Sequence, residues 1–447
     1  MSDWLIRNAV MVNEGRRATG DLRVRRGRIE AIAPLLEARA GEREFDAAGR
    51  WLLPGMIDDQ VHFREPGLEH KATIATESRA AVAGGVTSFM DMPNNKPPAL
   101  TLDAVRWKYQ RASQVSPANY AFYIGASNDN LEELKRLRAG DACGIKVFMG
   151  ASTGNMLVDD PGTLDGIFRQ APLLVVTHCE DSPTIEANLA AERARYGDAI
   201  PLERHPYIRS REACLKSSLL ATGLARRHDA RLHILHISTE DELALFEPGP
   251  IESKRITAET CVHFLRFDAR DYARMGNRIK CNPAIKLESD RVAITRAVLE
   301  GRIDVLATDH APHTLAEKAL PYEQAPSGLP LVQDVLQAAL ECVREGTLTL
   351  ESVVQRACHA PALLFGVRER GFLREGYHAD LVLVDPARPE LRRTEDVRSK
   401  CGWSPFEGTT FGSTVAATWV NGHLAWHEGK LDDSVLGQAL ECTRGRA

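Results

Sequence analysis

Apolar and polar positions change their period twice along this chain. Over the first 55 residues they alternate in short runs, "LIRNAVMVNEG", "GDLRVRRGRIEAIAP" and "REFDAAGRWLLPG", separated by turns that carry glycine. Alternation of that length predicts half-buried β-strands. The same pattern returns after about residue 370, in "GFLREGYHADLVLVD" and "STVAATWVNGHLAWHEGKL". Neither end contains a long amphipathic helix. Two β-rich ends around a different middle predict one small β-sandwich domain assembled from residues 1–55 and 369–447.

Between them, apolar runs alternate with helix-like segments. The strand candidates are "GMIDDQVHF", "GVTSFMDMPN", "NYAFYIGA", "CGIKVFMG", "PLLVVTHCE", "RLHILHIST", "RITAETCVHFL" and "IDVLATDHAPH". Segments such as "KATIATESRAAVAGG" and "LVQDVLQAALECVREG" separate them at helical spacing. Eight such pairs predict a (β/α)8 TIM barrel over residues 56–368, an α/β fold. A doubly wound open sheet is the rival, but the first strand is followed by no Gly-rich phosphate turn. No repeat at a period of about 20–50 residues and no low-complexity tract is present.

Composition narrows the class without naming the chemistry. A formal charge of −5 and a pI near 6.3 give no electrostatic reason for a nucleic acid or anionic membrane partner. No apolar run approaches the roughly 18 residues of a membrane span. The opening "MSDWLIRNAVMVNEGRR" has an early acid and no apolar core, which makes a poor secretion signal. Nine cysteines without a CxxC pair read as reduced thiols in a cytoplasmic protein, small buried apolar residues without assigned roles.

The polar residues that carry chemistry gather at strand ends, where a barrel places its active site. Gln60 and His62 close the first strand, and alternation sends both to the barrel mouth, with Arg64 following. Asn94 follows the second strand, Lys146 lies in the fourth, and His178 and His236 end the fifth and sixth. Asp309, His310 and His313 close the eighth. A lone strand histidine is usually a satisfied core residue, but so many equivalent positions are not explained that way. Imidazole and carboxylate donors suit zinc, and a carboxylate beside the metal serves as base. Asp309 has that position. Lys146 reads bottom-up as either a salt-bridge partner or a desolvated base; a lysine that had added CO2 would become a carbamate able to bridge two cations.

The motifs "PGMIDDQVHFREPG", "DMPNN", "GIKVFMG", "THCE", "HILHIST", "CNPAIK" and "ATDHAPHT" resemble, in order, those of the cyclic amidohydrolases, and most of all the dihydroorotases. The likeness extends to "GYHADLVLVD" and "VNGHLAWHEG" in the terminal regions. It implies reversible cyclisation of N-carbamoyl-L-aspartate to L-dihydroorotate in pyrimidine biosynthesis. It also implies one or two Zn2+ ions, two being the family pattern. His62 and the residue at 60 would hold the more buried ion, carbamylated Lys146 would bridge, and His178 and His236 would hold the second. Asp309 would bind the first ion and shuttle the proton. Arg64, Asn94, Asn282 and His313 would bind substrate, and the loop "APHTLAEKALPYEQAPSGLP" would line the pocket. A homodimer, and a pyrimidine-pathway enzyme as partner, follow from the same resemblance.

The departure is Gln60, where the family usually has histidine. A neutral amide oxygen is a weak zinc donor. Gln60 would ligate weakly, yield to water, or leave the position partly empty. The rivals are a hydantoinase- or allantoinase-like cyclic amidase, whose substrates lack the ring carboxylate that Arg64 suits, and a non-catalytic partner of aspartate transcarbamoylase. Three further readings complete the expectation. His233, at an odd offset from His236, should pack away from the mouth, and His310 should be structural. "RTEDVRSKCGWSPFEG" should be a charged surface turn, and His263 stays outside the ligand set.

Overall fold

The computed structural model describes residues 3–150, 155–443 and 445. Five strands come first: β1 (Trp4–Asn13), β2 (Arg16–Arg25), β3 (Arg28–Ala33), β4 (Arg43–Asp46) and β5 (Trp51–Pro54). The barrel strands follow as β6 (Met56–Val61), β7 (Val86–Asp91), β8 (Asn119–Phe122), β9 (Ile124–Gly125) and β10 (Ile145–Phe148). They continue with β11 (Val175–His178), β12 (Leu232–Ile234), β13 (Ile256–Cys261) and β14 (Val305–Ala307). The chain closes with β15 (Leu381–Asp385), β16 (Glu390–Leu391), β17 (Thr410–Phe411), β18 (Thr414–Val420), β19 (His423–His427) and β20 (Lys430–Leu431).

All six residues of β6 are buried, as expected of a parallel strand covered on both faces. Two parallel arcs make the barrel wall. β6, β7 and β8 form one, and β9 to β14 in order form the other. β8 and β9 are a single strand interrupted at Tyr123, so the wall has eight strands. The arcs meet where His62 N donates to His310 O at 2.7 Å and Val61 pairs in parallel with His310.

The terminal strands form one nine-stranded sheet, β20-β19-β18-β15-β5-β1-β2-β3, with β4 beside β1. The two chain ends join where β5 runs antiparallel to β15, Leu53 opposite Val382. Its core holds Trp419, fully buried, with Phe45 edge-on at 5.1 Å and Trp4 at 6.3 Å between ring centroids. Buried hydrogen bonds tie it to the barrel: Asn119 on β8 donates to Asp380 at 3.2 Å and accepts from Asn421 at 2.8 Å.

The segment expected as a surface turn is instead anchored. Its charged residues Arg393, Glu395 and Lys400 are exposed, but Ser399, Trp403 and Phe406 are buried. Ser399 donates to Glu77 at 2.6 Å, and the Trp403 indole donates to His313 O at 2.8 Å. The small polar and aromatic residues decide its position, and the charges only face outward. Eight of the nine cysteines are buried and all nine are free thiols. Among the described residues no helix is long and apolar enough to cross a membrane.

Candidate active site at the barrel mouth

All ten residues nominated by the sequence line one cavity of about 540 Å3 at the C-terminal ends of the barrel strands. Three of them stand in the left-handed backbone region: Arg64 at φ 69°, His236 at φ 41° and Asp309 at φ 51°. Non-glycine residues rarely adopt that conformation, and where packing enforces it the side chain is re-aimed at a functional site. Each of these three leaves the end of its strand and turns into the cavity.

On one side, His62 Nδ1 bonds Asn94 Oδ1 at 2.6 Å. Its other nitrogen therefore faces Asp309 Oδ1, across 3.0 Å. An acceptor nitrogen opposite a carboxylate requires a cation between them, a proton or a metal ion. Gln60 Nε2 donates to the same oxygen at 3.0 Å, while its carbonyl oxygen turns toward the Cys261 thiol at 4.0 Å. Gln60 thus serves Asp309 as a hydrogen-bond donor. Burial pushes the Asp309 carboxyl up, but neighbouring His62 more than offsets it and holds it below the usual carboxylate range.

On the other side, His178 Nε2 donates to Glu180 at 2.9 Å, which leaves the lone pair of Nδ1 free. That atom faces His236 Nε2 at 2.9 Å. Glu180 also pairs with Arg209; burial works against ionisation, yet Arg209 and then His178 hold its carboxyl down to about 2. It is a permanent anion behind the ring. Burial, and next the charge of His178, keep His236 neutral well below the usual imidazole range, and its Nδ1 has no hydrogen-bond partner among the described residues.

Lys146 lies between the two sides and is 1% exposed. Its ammonium stands over the Phe148 ring at 4.6 Å and forms no ion pair with a described residue. Burial, only partly opposed by Asp309, lowers it to about 8. A buried lysine near that value is mostly an ammonium at physiological pH but keeps a minor, reactive fraction of neutral amine.

The cavity is cationic at its far end. Arg64 Nη2 contacts His313 Nε2 at 3.0 Å, and Lys71 contacts His313 Nδ1 at 3.0 Å. Burial brings the Arg64 guanidinium down to about 10, which leaves it charged at neutral pH. Asn282 Oδ1 is buried without a hydrogen-bond partner among the described residues. Gly328, at φ 143°, brings its backbone so near that a Cβ would lie 2.4 Å from Ala311 O, so the loop closes on the pocket only with glycine there.

His310 is structural as expected: Nε2 bonds Glu77 at 2.9 Å, and Nδ1 accepts from Leu331 N and Val332 N. His233 points away from the mouth as expected and lines none of the cavity; inside the barrel it faces Asp59 and Glu259. His263 is buried, and neither ring nitrogen has a hydrogen-bond partner among the described residues. Glu180, Lys71 and Trp403 were missed; for Glu180 the signal was present in "THCE", two residues beyond His178 on the same side.

The residues fit a metal. His62 Nε2 and Asp309 converge on one point, His178 Nδ1 and His236 Nε2 on another, and Lys146 lines the same cavity with no ion pair among the described residues. This is a mixed nitrogen and oxygen donor set of the kind zinc takes.

The chain is similar to known proteins along nearly its whole length. Over 429 residues the chain is 36% identical to a dihydroorotase of Halobacterium salinarum, covering 94% of this chain and 96% of that one. It is 30% identical to a dihydroorotase of Listeria innocua, covering 96% and 99%. Among solved structures, the L-hydantoinase of Arthrobacter aurescens superposes with a TM-score of 0.92 at 27% identity, covering 99% and 100%. Residues 51–425 match the amidohydrolase family. The chain belongs to the amidohydrolase family, and within it to the group that contains the dihydroorotases.

Proposed function

We propose that this protein is a zinc-dependent dihydroorotase that interconverts N-carbamoyl-L-aspartate and L-dihydroorotate in the cytoplasm. The observation that carries the reading is the placement of Arg64 and His313 at the far end of the cavity whose near end holds His62, Asp309, Lys146, His178 and His236. A planar, permanently charged guanidinium matches a carboxylate that sits at a fixed distance from a ring amide. Hydantoin and allantoin offer no such group.

His62 and Asp309 would hold one ion, His178 and His236 the other, with Lys146 bridging as a carbamate. When bound, the metal supplies Lewis-acid polarisation of the amide carbonyl and acidifies water. The chain's own residues do the rest. Arg64, with Asn94 and Asn282, orients the substrate by its carboxylate and ring edge. Asp309, held ionised by His62, takes the proton of the attacking water as the carbon–oxygen bond forms. It returns that proton to the ring nitrogen as the carbon–nitrogen bond breaks. Gln60 keeps the Asp309 carboxylate aimed during the exchange. Glu180 fixes the ring of His178. We also propose a homodimer that can associate with another enzyme of the pyrimidine pathway.

The test is ring opening of dihydroorotate by zinc-supplied protein, with hydantoin and allantoin alongside. Turnover of dihydroorotate alone, abolished by a chelator and restored by Zn2+, is the expected result. Turnover of hydantoin in preference would assign the hydantoinase reading, and silence on all three in folded protein would assign the non-catalytic one.

A further inference from the structure

Below the cavity, and lining none of it, Asp59 on β6, His233 on β12 and Glu259 on β13 close on one another. All three are 0% exposed. His233 Nε2 lies 3.5 Å from Asp59 Oδ2 and 3.6 Å from Glu259 Oε2, and one donor atom from each lies within 4.8 Å of the others. Both Asp59 carboxylate oxygens, Glu259 Oε2 and His233 Nε2 have no hydrogen-bond partner among the described residues. Buried carboxylates left without partners are costly, so three side chains that each bring such an atom together need an explanation.

The hydrogen bonds around the cluster settle the imidazole tautomer. Thr257 Oγ1 donates its single proton to Leu232 O at 3.2 Å. It must then accept from His233, whose Nδ1 lies 2.8 Å away. Nε2 faces the two carboxylates; against burial, Asp59 and Glu259 raise His233 to about 9, so without a metal Nε2 holds a proton that a bound cation would displace. The nearby Tyr123 hydroxyl gives no relief, because it donates to the Asp59 carbonyl at 2.8 Å. A proton on Nε2 would answer only one negative charge. The separations also exceed the roughly 2.7–2.9 Å of a charge-assisted N–H···O bond. A tetrahedral zinc site with bonds of about 2.1 Å has ligand–ligand edges of about 3.4 Å, close to the spacing found here. Two carboxylates and a neutral imidazole balance a divalent cation.

We propose that Asp59, His233 and Glu259 bind a divalent transition-metal ion such as zinc, distinct from any ion in the cavity above. The ion ties three barrel strands together. It also positions the catalytic pocket, since Glu259 Oε1 accepts from His236 N at 3.2 Å and so secures the left-handed turn of that residue. A fully buried ion of this kind is acquired as the chain folds.

The decisive experiment is anomalous diffraction above and below the zinc edge, on crystals of the full chain produced in zinc-supplemented medium. A peak within bonding distance of the three side chains supports the site. Its absence there overturns the proposal, whatever the cavity above contains. Metal analysis of Asp59→Leu gives an independent reading: one equivalent fewer per chain than the unsubstituted protein is expected, and unchanged stoichiometry is the overturning result. If Asp59→Leu fails to fold, the diffraction experiment on the unsubstituted chain decides alone.

Discussion

Gln60 donates its side-chain amide to Asp309 Oδ1 at 3.0 Å, from the strand position where the resemblance to the dihydroorotases implies a metal-binding histidine. Under the proposed mechanism, residue 60 holds the base instead of binding a cation. Gln60→His should therefore retain the metal on the Asp309 side more tightly, on the order of tenfold, as judged by metal content after dialysis against a graded chelator. Gln60→Ala removes a donor that favours the Asp309 carboxylate, so the acidic limb of the kcat profile should move to higher pH. A profile that does not move would show that Asp309 owes nothing to Gln60.

Lys146 is buried without an ion pair among the described residues, and burial lowers it to about 8. If it works as a carbamate, Lys146→Arg should lose activity and metal together, by on the order of a hundredfold in kcat or more. Arginine keeps the charge but cannot add CO2. Bicarbonate should speed reactivation of metal-depleted wild-type protein and leave the variant unaffected.

Arg64 should discriminate by geometry more than by charge. Arg64→Lys keeps the cation and loses the fork, so KM for dihydroorotate should rise about 10- to 100-fold, about 1.4–2.7 kcal/mol at the level of binding. A neutral hydantoin should show no matching change. Equal effects on both substrates would remove Arg64 from carboxylate recognition.

Glu180 is a buried carboxylate held at about 2 by Arg209 and His178, against an ordinary value of 4.5. Because its value in the folded protein is depressed, its contribution is present in full above about pH 4.5. It is lost as the pH falls from there through 2, and is worth about 3 kcal/mol in all. Glu180→Gln should lower Tm at pH 7, and the gap from wild type should narrow below pH 4.5. A constant gap down to pH 3.5 would contradict the assignment.

The Trp403 indole donates to His313 O and fixes the loop at the cationic end of the pocket. Trp403→Phe keeps most of the apolar contact and leaves that carbonyl unpaired, at a cost of about 1–3 kcal/mol. The KM for dihydroorotate should rise while kcat changes little.

The periodicity of the chain by itself determined the barrel and the β-rich ends. Alternating runs make strands, and the eight strand–helix pairs have one economical closure. Strand ends meet at one rim, so the polar residues there, from Gln60 to His313, were legible as one site before any coordinate was seen. Only the tertiary structure decided what those residues do to one another. Gln60 could have offered its oxygen or its nitrogen, and the choice rests on Asp309, far away in sequence. The register shift between Asp58 and Val61 breaks strict alternation, so Gln60 reaches the cavity while Asp59 also turns inward to His233. Trp403 and Glu259 are likewise placed by partners distant along the chain. Local sequence sets period and propensity, whereas the direction of a hydrogen bond is set by whichever distant group packing brings within 3 Å of it.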